Sequence, residues 1–90
     1  MNTIEQVSFH KITSAFGPVF RASFKGCRLE LSNEKDHLQV IHDETEKHDS
    51  FRVAEDGQCE FENSDDVNNT VCESWTEEEW SAVQNAIREA

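Results

Sequence analysis

Two histidine–aspartate neighbours, His42-Asp43 and His48-Asp49, with His37 close by, are the residues whose types come nearest to catalytic or metal chemistry. An imidazole oriented by a carboxylate is the working unit of a general base, and the same side chains serve as zinc ligands. Neither pair falls on a spacing that converges ligands, and a zinc site needs ligands held in place by a second layer of contacts. The expectation is surface histidines in a solvated turn. Cys27, Cys59 and Cys72 lack C-x-x-C spacing. Cys27 and Cys59 fall on the predicted core face, where a free cysteine acts as a small hydrophobe. The acidic stretches 43–49 and 63–69 do not follow the alternating order of a calcium-binding loop. There is no glycine-rich phosphate loop, no G-x-S-x-G and no H-E-x-x-H. The sequence therefore predicts no enzyme, no cofactor and no metal.

What remains is charge. The chain has 19 acidic and 8 basic residues and a net charge of −11, distributed unevenly. Residues 1–31 carry Lys11, Arg21, Lys25 and Arg28 against Glu5 and Glu30, whereas residues 43–79 carry 14 carboxylates against Lys47 and Arg52. Three of these, Glu77, Glu78 and Glu79, have a local reason, since carboxylates in the first turn of a helix favour its dipole. The other eleven, Asp43, Glu44, Glu46, Asp49, Glu55, Asp56, Glu60, Glu62, Asp65, Asp66 and Glu73, are predicted on loops or outward strand positions. They form the candidate partner-binding set. A field of this sign repels nucleic acid and anionic membranes and attracts basic protein surfaces.

Duplex DNA carries one charge per about 1.7 Å of axis, and a dense carboxylate array on a rigid sheet can imitate it. The expected function is a small acidic inhibitor or adaptor whose carboxylate-rich face occupies the basic, nucleic-acid-binding surface of a partner protein. In size and charge the chain is similar to the phage-encoded DNA mimics that block restriction or CRISPR nucleases, a similarity of type and not of motif. The alternative is a structural or oligomerisation module, for example a homodimer through an open sheet edge, with charge serving only solubility.

These residues must be positioned by one domain, because 90 residues support a single modest core. The pattern predicts an α+β fold: a five- to six-stranded antiparallel β-meander over about 6–62, a loop over about 63–70 and one C-terminal α-helix over about 76–89, packed on one face. Thr76 and Glu79 have the spacing of a capping box, and Trp75 and Trp80 occupy the two positions of a hydrophobic staple. Trp80, Val83 and Ile87 continue one apolar stripe, expected to cover Phe20, Phe24, Leu29, Val40 and Phe61.

Lys25-Gly26 as a two-residue turn pairs Phe24 with Cys27, Ala22 with Leu29 and Phe20 with Leu31, and the next strand sets Leu38 opposite Leu31 and Val40 opposite Leu29. A first strand over 6–14, closed by a Phe16-Gly17 turn, sets Phe9 opposite Phe24, Lys11 opposite Ala22 and Thr13 opposite Phe20. Residues 43–50 read as a charged loop. Around Asp56-Gly57, a type I turn with Gly57 left-handed keeps Val53 opposite Cys59 and Phe51 opposite Phe61, whereas a plain two-residue turn would put glutamates there. Ile12 and Ile41 are left for the other sheet face.

Three cysteines without a disulfide pattern fit reduced thiols. The first residues have neither a basic nor an apolar signal-peptide region. The expected location is cytoplasmic, in a bacterial cell or a phage-infected host.

Overall fold

The computed structural model describes residues 6–15 and 17–90. Six strands, β1 (His10–Ser14), β2 (Gly17–Phe24), β3 (Cys27–Ser32), β4 (His37–His42), β5 (His48–Val53) and β6 (Cys59–Ser64), precede one helix, α1 (Glu77–Glu89). The strands form a single antiparallel sheet in the order β1-β2-β3-β4-β5-β6, each paired with its chain neighbours. The architecture is α+β, with β1 and β6 at the edges.

The central register is as the hydrophobic pattern requires. Phe24 pairs with Cys27, Ala22 with Leu29 and Phe20 with Leu31; Leu38 then faces Leu31, and Val40 faces Leu29. Lys25 and Gly26 both have positive φ, at 50° and 71°. That matches the primed turn whose twist suits a two-residue hairpin. At the β5–β6 connection, Gly57 has φ 88° and its N–H bonds the carbonyl of Ala54 at 2.9 Å, which restores Val53 opposite Cys59 and Phe51 opposite Phe61.

Three features of strand extent and register differ from the sequence expectation. The β1–β2 register is displaced by two residues: Lys11 faces Phe20 and Thr13 faces Pro18, and Ser14 closes on Gly17. A two-residue slip leaves every side chain on its own face, so alternation alone cannot choose between the two registers. The hydroxyl of Ser14 donates to the Gly17 carbonyl at 2.6 Å, which supports the tighter closure. Phe16, half of the expected turn, lies outside the described residues, as do residues 1–5 of the chain's start. Residues 6–9 are not strand, although Val7 and Phe9 pack against the core. Finally, β5 begins at His48, so the loop after β4 spans only 43–47.

The buried cluster takes Ala22, Phe24, Cys27, Leu29, Leu31, Leu38, Val40, Phe51 and Val53 from the sheet, Cys72 and Trp75 from the segment before the helix, and Val83 and Ile87 from α1. Phe61 does not join it as expected. It is 49% exposed on edge strand β6, touching Phe51 edge to face at 5.9 Å between ring centroids. Ile41 is buried, on the opposite side of its strand from Val40.

The helix start is built as its sequence implies. The Glu79 N–H donates to the Thr76 hydroxyl at 3.1 Å, and the Thr76 N–H donates to the Glu79 carboxylate at 2.8 Å. Trp75 and Trp80 meet at 4.8 Å; Trp75 also meets Phe24 at 5.1 Å, and Trp80 meets Phe51 at 4.9 Å. At its other end, the ammonium of Lys35 donates to the carbonyl of Ala90 and lies 5.3 Å from the centre of the Phe20 ring.

Candidate functional site

In an antiparallel meander, successive connections alternate between the two ends of the sheet. One end here receives the Lys25-Gly26 turn, the loop 43–47, the segment 65–75 and the start of α1. Direct contacts tie these pieces together. The Asp43 N–H donates to the Gly26 carbonyl at 3.0 Å, Lys25 pairs with Glu79 at 2.7 Å, and Lys47 pairs with Asp66 at 3.2 Å. Asp43, Glu44, Glu46, Asp65, Asp66, Glu73, Glu77, Glu78 and Glu79 all stand at this end, with Lys25 and Lys47 as its lysines.

Within that group the carboxylates are in different states. Asp43, Glu44, Glu46 and Glu73 are exposed, and no hydrogen bond or ion pair among the described residues engages their carboxylates. The loop 43–47 that carries the first three is nonetheless shaped. His42 Nδ1 accepts the N–H groups of Glu44 and Thr45, each at 3.2 Å, and the Glu46 N–H bonds the His42 carbonyl at 2.8 Å. The ring of His42 thus serves as a cap for a tight turn. Asp65 is held below the usual aspartate range, first by the backbone N–H of His48 at 2.8 Å and then by the His48 ring at 3.1 Å. Glu79 is likewise lowered, by the Lys25 ammonium first and the Thr76 N–H second.

The remaining candidates lie elsewhere. Glu60 and Glu62 point outward from β6. Glu60 faces Arg52 across the ladder, and Glu62, the extra residue where the β5–β6 register shifts, bridges Arg52 at 3.3 Å. Glu55 and Asp56 occupy the turn at the opposite end, where the Asp56 carboxylate accepts the Gln58 N–H at 3.1 Å and its carbonyl accepts from Arg88 at 2.8 Å.

Asp49 corrects the sequence reading outright. It is not a surface contact but a fully buried carboxylate, 0% exposed. Because β5 starts at His48, the inward phase of Phe51 and Val53 extends back to Asp49. Its oxygens accept the Ser64 hydroxyl at 2.6 Å and the Cys72 N–H at 2.9 Å. Conversely, Glu77 and Glu78 belong to the acidic end although their local helical role explained them. Only the docking of the helix start beside the Lys25 turn puts them there, and no local sequence signal carries that.

No family model, curated protein or solved structure matches this chain.

The other chemistry-bearing groups resolve into structural roles. His48 and Asp49 are neighbours in sequence but point to opposite sides of β5, and His37 pairs with Asp36 at 3.2 Å. Among the described residues no group of three or more His, Cys, Asp or Glu side chains is arranged to hold a metal ion. The thiols are held protonated. Burial pushes Cys59 up to about 12, burial followed by the Asp49 charge raises Cys72, and burial followed by the charges of Asp43 and Asp49 raises Cys27.

A groove of about 550 Å³ on the outward sheet face includes Val19, Arg21, Glu30, Gln39, Ser50 and Glu62 in its lining. Its charges are already matched within the fold, Arg21 with Glu30 at 3.4 Å and Glu62 with Arg52. The free edge of β6 is also partly occupied: the Cys59 N–H bonds Gln84 Oε1 at 2.8 Å, and the Ser64 N–H bonds Asn63 Oδ1 at 2.9 Å. With the bulge between them, these are devices that discourage strand addition at an edge. No helix among the described residues is long and apolar enough to cross a membrane.

Proposed function

We propose that this protein is a small non-enzymatic inhibitor or adaptor that occupies a basic, nucleic-acid-binding surface of a partner protein, in the manner of a nucleic-acid mimic. The observation that carries the reading is the gathering of nine carboxylates from three separate segments at one end of the sheet, with Lys25 and Lys47 as that end's lysines. Clustering like charges costs folding free energy through mutual repulsion, and a uniformly solubilising surface would not need it. Asp43, Glu44, Glu46, Glu73, Glu77 and Glu78, exposed and unengaged, are the carboxylates free to meet partner cations, with Asp65 and Asp66 flanking them. In this reading α1 lies across the apolar face of the sheet and fixes the acidic end by its docked N-terminus. Glu60 and Glu62 extend the charge along the β6 edge.

At the β6 edge the oligomerisation alternative has less support, because that edge spends two of its N–H groups on Gln84 and Asn63.

The two readings separate on salt and on DNA. Affinity capture from a nuclease-treated bacterial lysate should recover a nucleic-acid-binding protein at low ionic strength. Duplex DNA and moderate salt should both displace it, since exposed charge pairs are screened within about 8 Å at physiological salt. Replacing Asp43, Glu44, Glu46 and Glu73 by lysine should abolish capture while the fold, monitored by tryptophan fluorescence, is kept. Capture that survives the four reversals, or recovery of only the protein itself irrespective of salt, would overturn the mimic reading.

A further inference from the structure

We infer that Asp49 is an interior clip that holds the segment between β6 and α1 in one conformation. A single side chain holds the last residue of β6 and a residue well inside that segment: one oxygen takes the Ser64 hydroxyl at 2.6 Å and the other takes the Cys72 N–H at 2.9 Å. The Asp49 side chain is 0% exposed, and among the described residues its partners are the Ser64 hydroxyl and the Cys72 N–H, with no lysine, arginine or histidine paired to it. Losing such a bond at a fully buried side chain leaves an unsatisfied polar group in the interior.

The grip is relayed outward. The Ser64 oxygen that donates to Asp49 also accepts the Asp66 N–H at 3.2 Å, which sets the backbone carrying Asp65 and Asp66. Between the two grips Val71 packs partly buried against the core, and the other ties are at the surface, Asp65 to His48 and Asp66 to Lys47. Val67 is 64% exposed, and the buried side chains resume only at Cys72 and Trp75. A stretch with few apolar contacts and a high density of like charge is the kind of element that opens locally at low free-energy cost. Asp49 closes it from beneath. The consequence for binding rests on the electrostatic reading above: holding Asp65, Asp66 and Glu73 in one arrangement lowers the ordering cost of association.

Hydrogen exchange on the free, full-length protein tests the clip without any partner. In Asp49→Ala the Cys72 amide should exchange at least about tenfold faster than in the parent, while the amides of Leu29 and Val40 change far less, as expected of a local opening. In Ser64→Ala the Asp66 amide should accelerate and the Cys72 amide should stay protected. Should Asp49→Ala fail to fold, Asp49→Asn decides, because its amide nitrogen cannot accept and one of the two grips is lost, so the Cys72 or the Asp66 amide must speed up while Leu29 does not. A Cys72 amide that stays as slow as in the parent, or that accelerates only in step with Leu29 and Val40, overturns the clip, as does an unchanged Asp66 amide in Ser64→Ala. Because no partner enters the experiment, failure of the clip leaves the mimic reading standing, and failure of that reading leaves the clip standing.

Discussion

At the scale of single residues, two positions make quantitative demands. Gly57 sits at φ 88°, and a Cβ there would stand 2.8 Å from the Arg88 side chain and 3.0 Å from the Gln84 carbonyl. Both the left-handed backbone and the backbone neighbour penalise any other residue, so Gly57→Ala should cost about 1–3 kcal/mol. Urea unfolding checks this. Adding Arg88→Ala should recover only the part due to the flexible side chain.

The thiols make a second demand. All three cysteines have raised pKa values in the fold, Cys59 to about 12 against an ordinary value of 9.0. The unfolded chain therefore releases thiol protons at a pH where the native chain retains them, and linkage removes stability as pH rises. The urea midpoint should be flat in this respect below pH 9 and fall from there towards pH 12. Replacing Cys59 by alanine should flatten part of that slope. Both effects were half legible in the sequence: the glycine turn followed from keeping Val53 opposite Cys59, but the closeness of Arg88 did not.

At the scale of elements, the start of α1 concentrates several small terms in a few residues. Thr76→Ala removes the hydroxyl that accepts the Glu79 N–H, and caps of this kind are worth about 1 kcal/mol. Trp75→Ala should cost about 3–5 kcal/mol, because the indole is buried and contacts both Phe24 and Trp80. Equilibrium urea curves for the two variants should show that ordering. Reversal of the ranking would mean that the cap and not the staple anchors the helix. Acid should loosen the same junction. Glu79 is depressed by Lys25 and Thr76, so the stability it adds is present above its ordinary value of 4.5 and is lost as pH falls through the lowered one. The element pattern was the most readable level, because a period of two and a period of 3.6 are written directly into the positions of apolar residues. The first hairpin was the exception, since a slip of two conserves the period.

At the scale of the whole molecule, a net charge of −11 on 90 residues opposes compaction by self-repulsion. The melting temperature should rise as sodium chloride is raised from about 20 to 200 mM, a range over which the screening length shortens several-fold. The quadruple lysine variant at Asp43, Glu44, Glu46 and Glu73 should lose most of that dependence and be at least as stable at low salt. An unchanged salt response would show that the acidic end does not strain the fold, removing one support for a selected binding surface.

Composition and order alone determined that the domain is α+β, that its central strands pair as they do, where the helix starts and that charge is concentrated in residues 43–79. Each of these follows from short-range periodicity or from counting, which the chain carries without folding. Tertiary structure decided the rest. It turned Asp49 inward, because strand phase runs through the point where β5 begins, and satisfied it with Ser64 and Cys72, 15 and 23 residues away. It sent Glu55 and Asp56 to the far end, because meander connections alternate. It brought Glu77 and Glu78 to the same end of the sheet as Asp43, through the pairing of Glu79 with Lys25. Which carboxylates share a surface is a question of non-local geometry, and local patterns of residue type do not encode it.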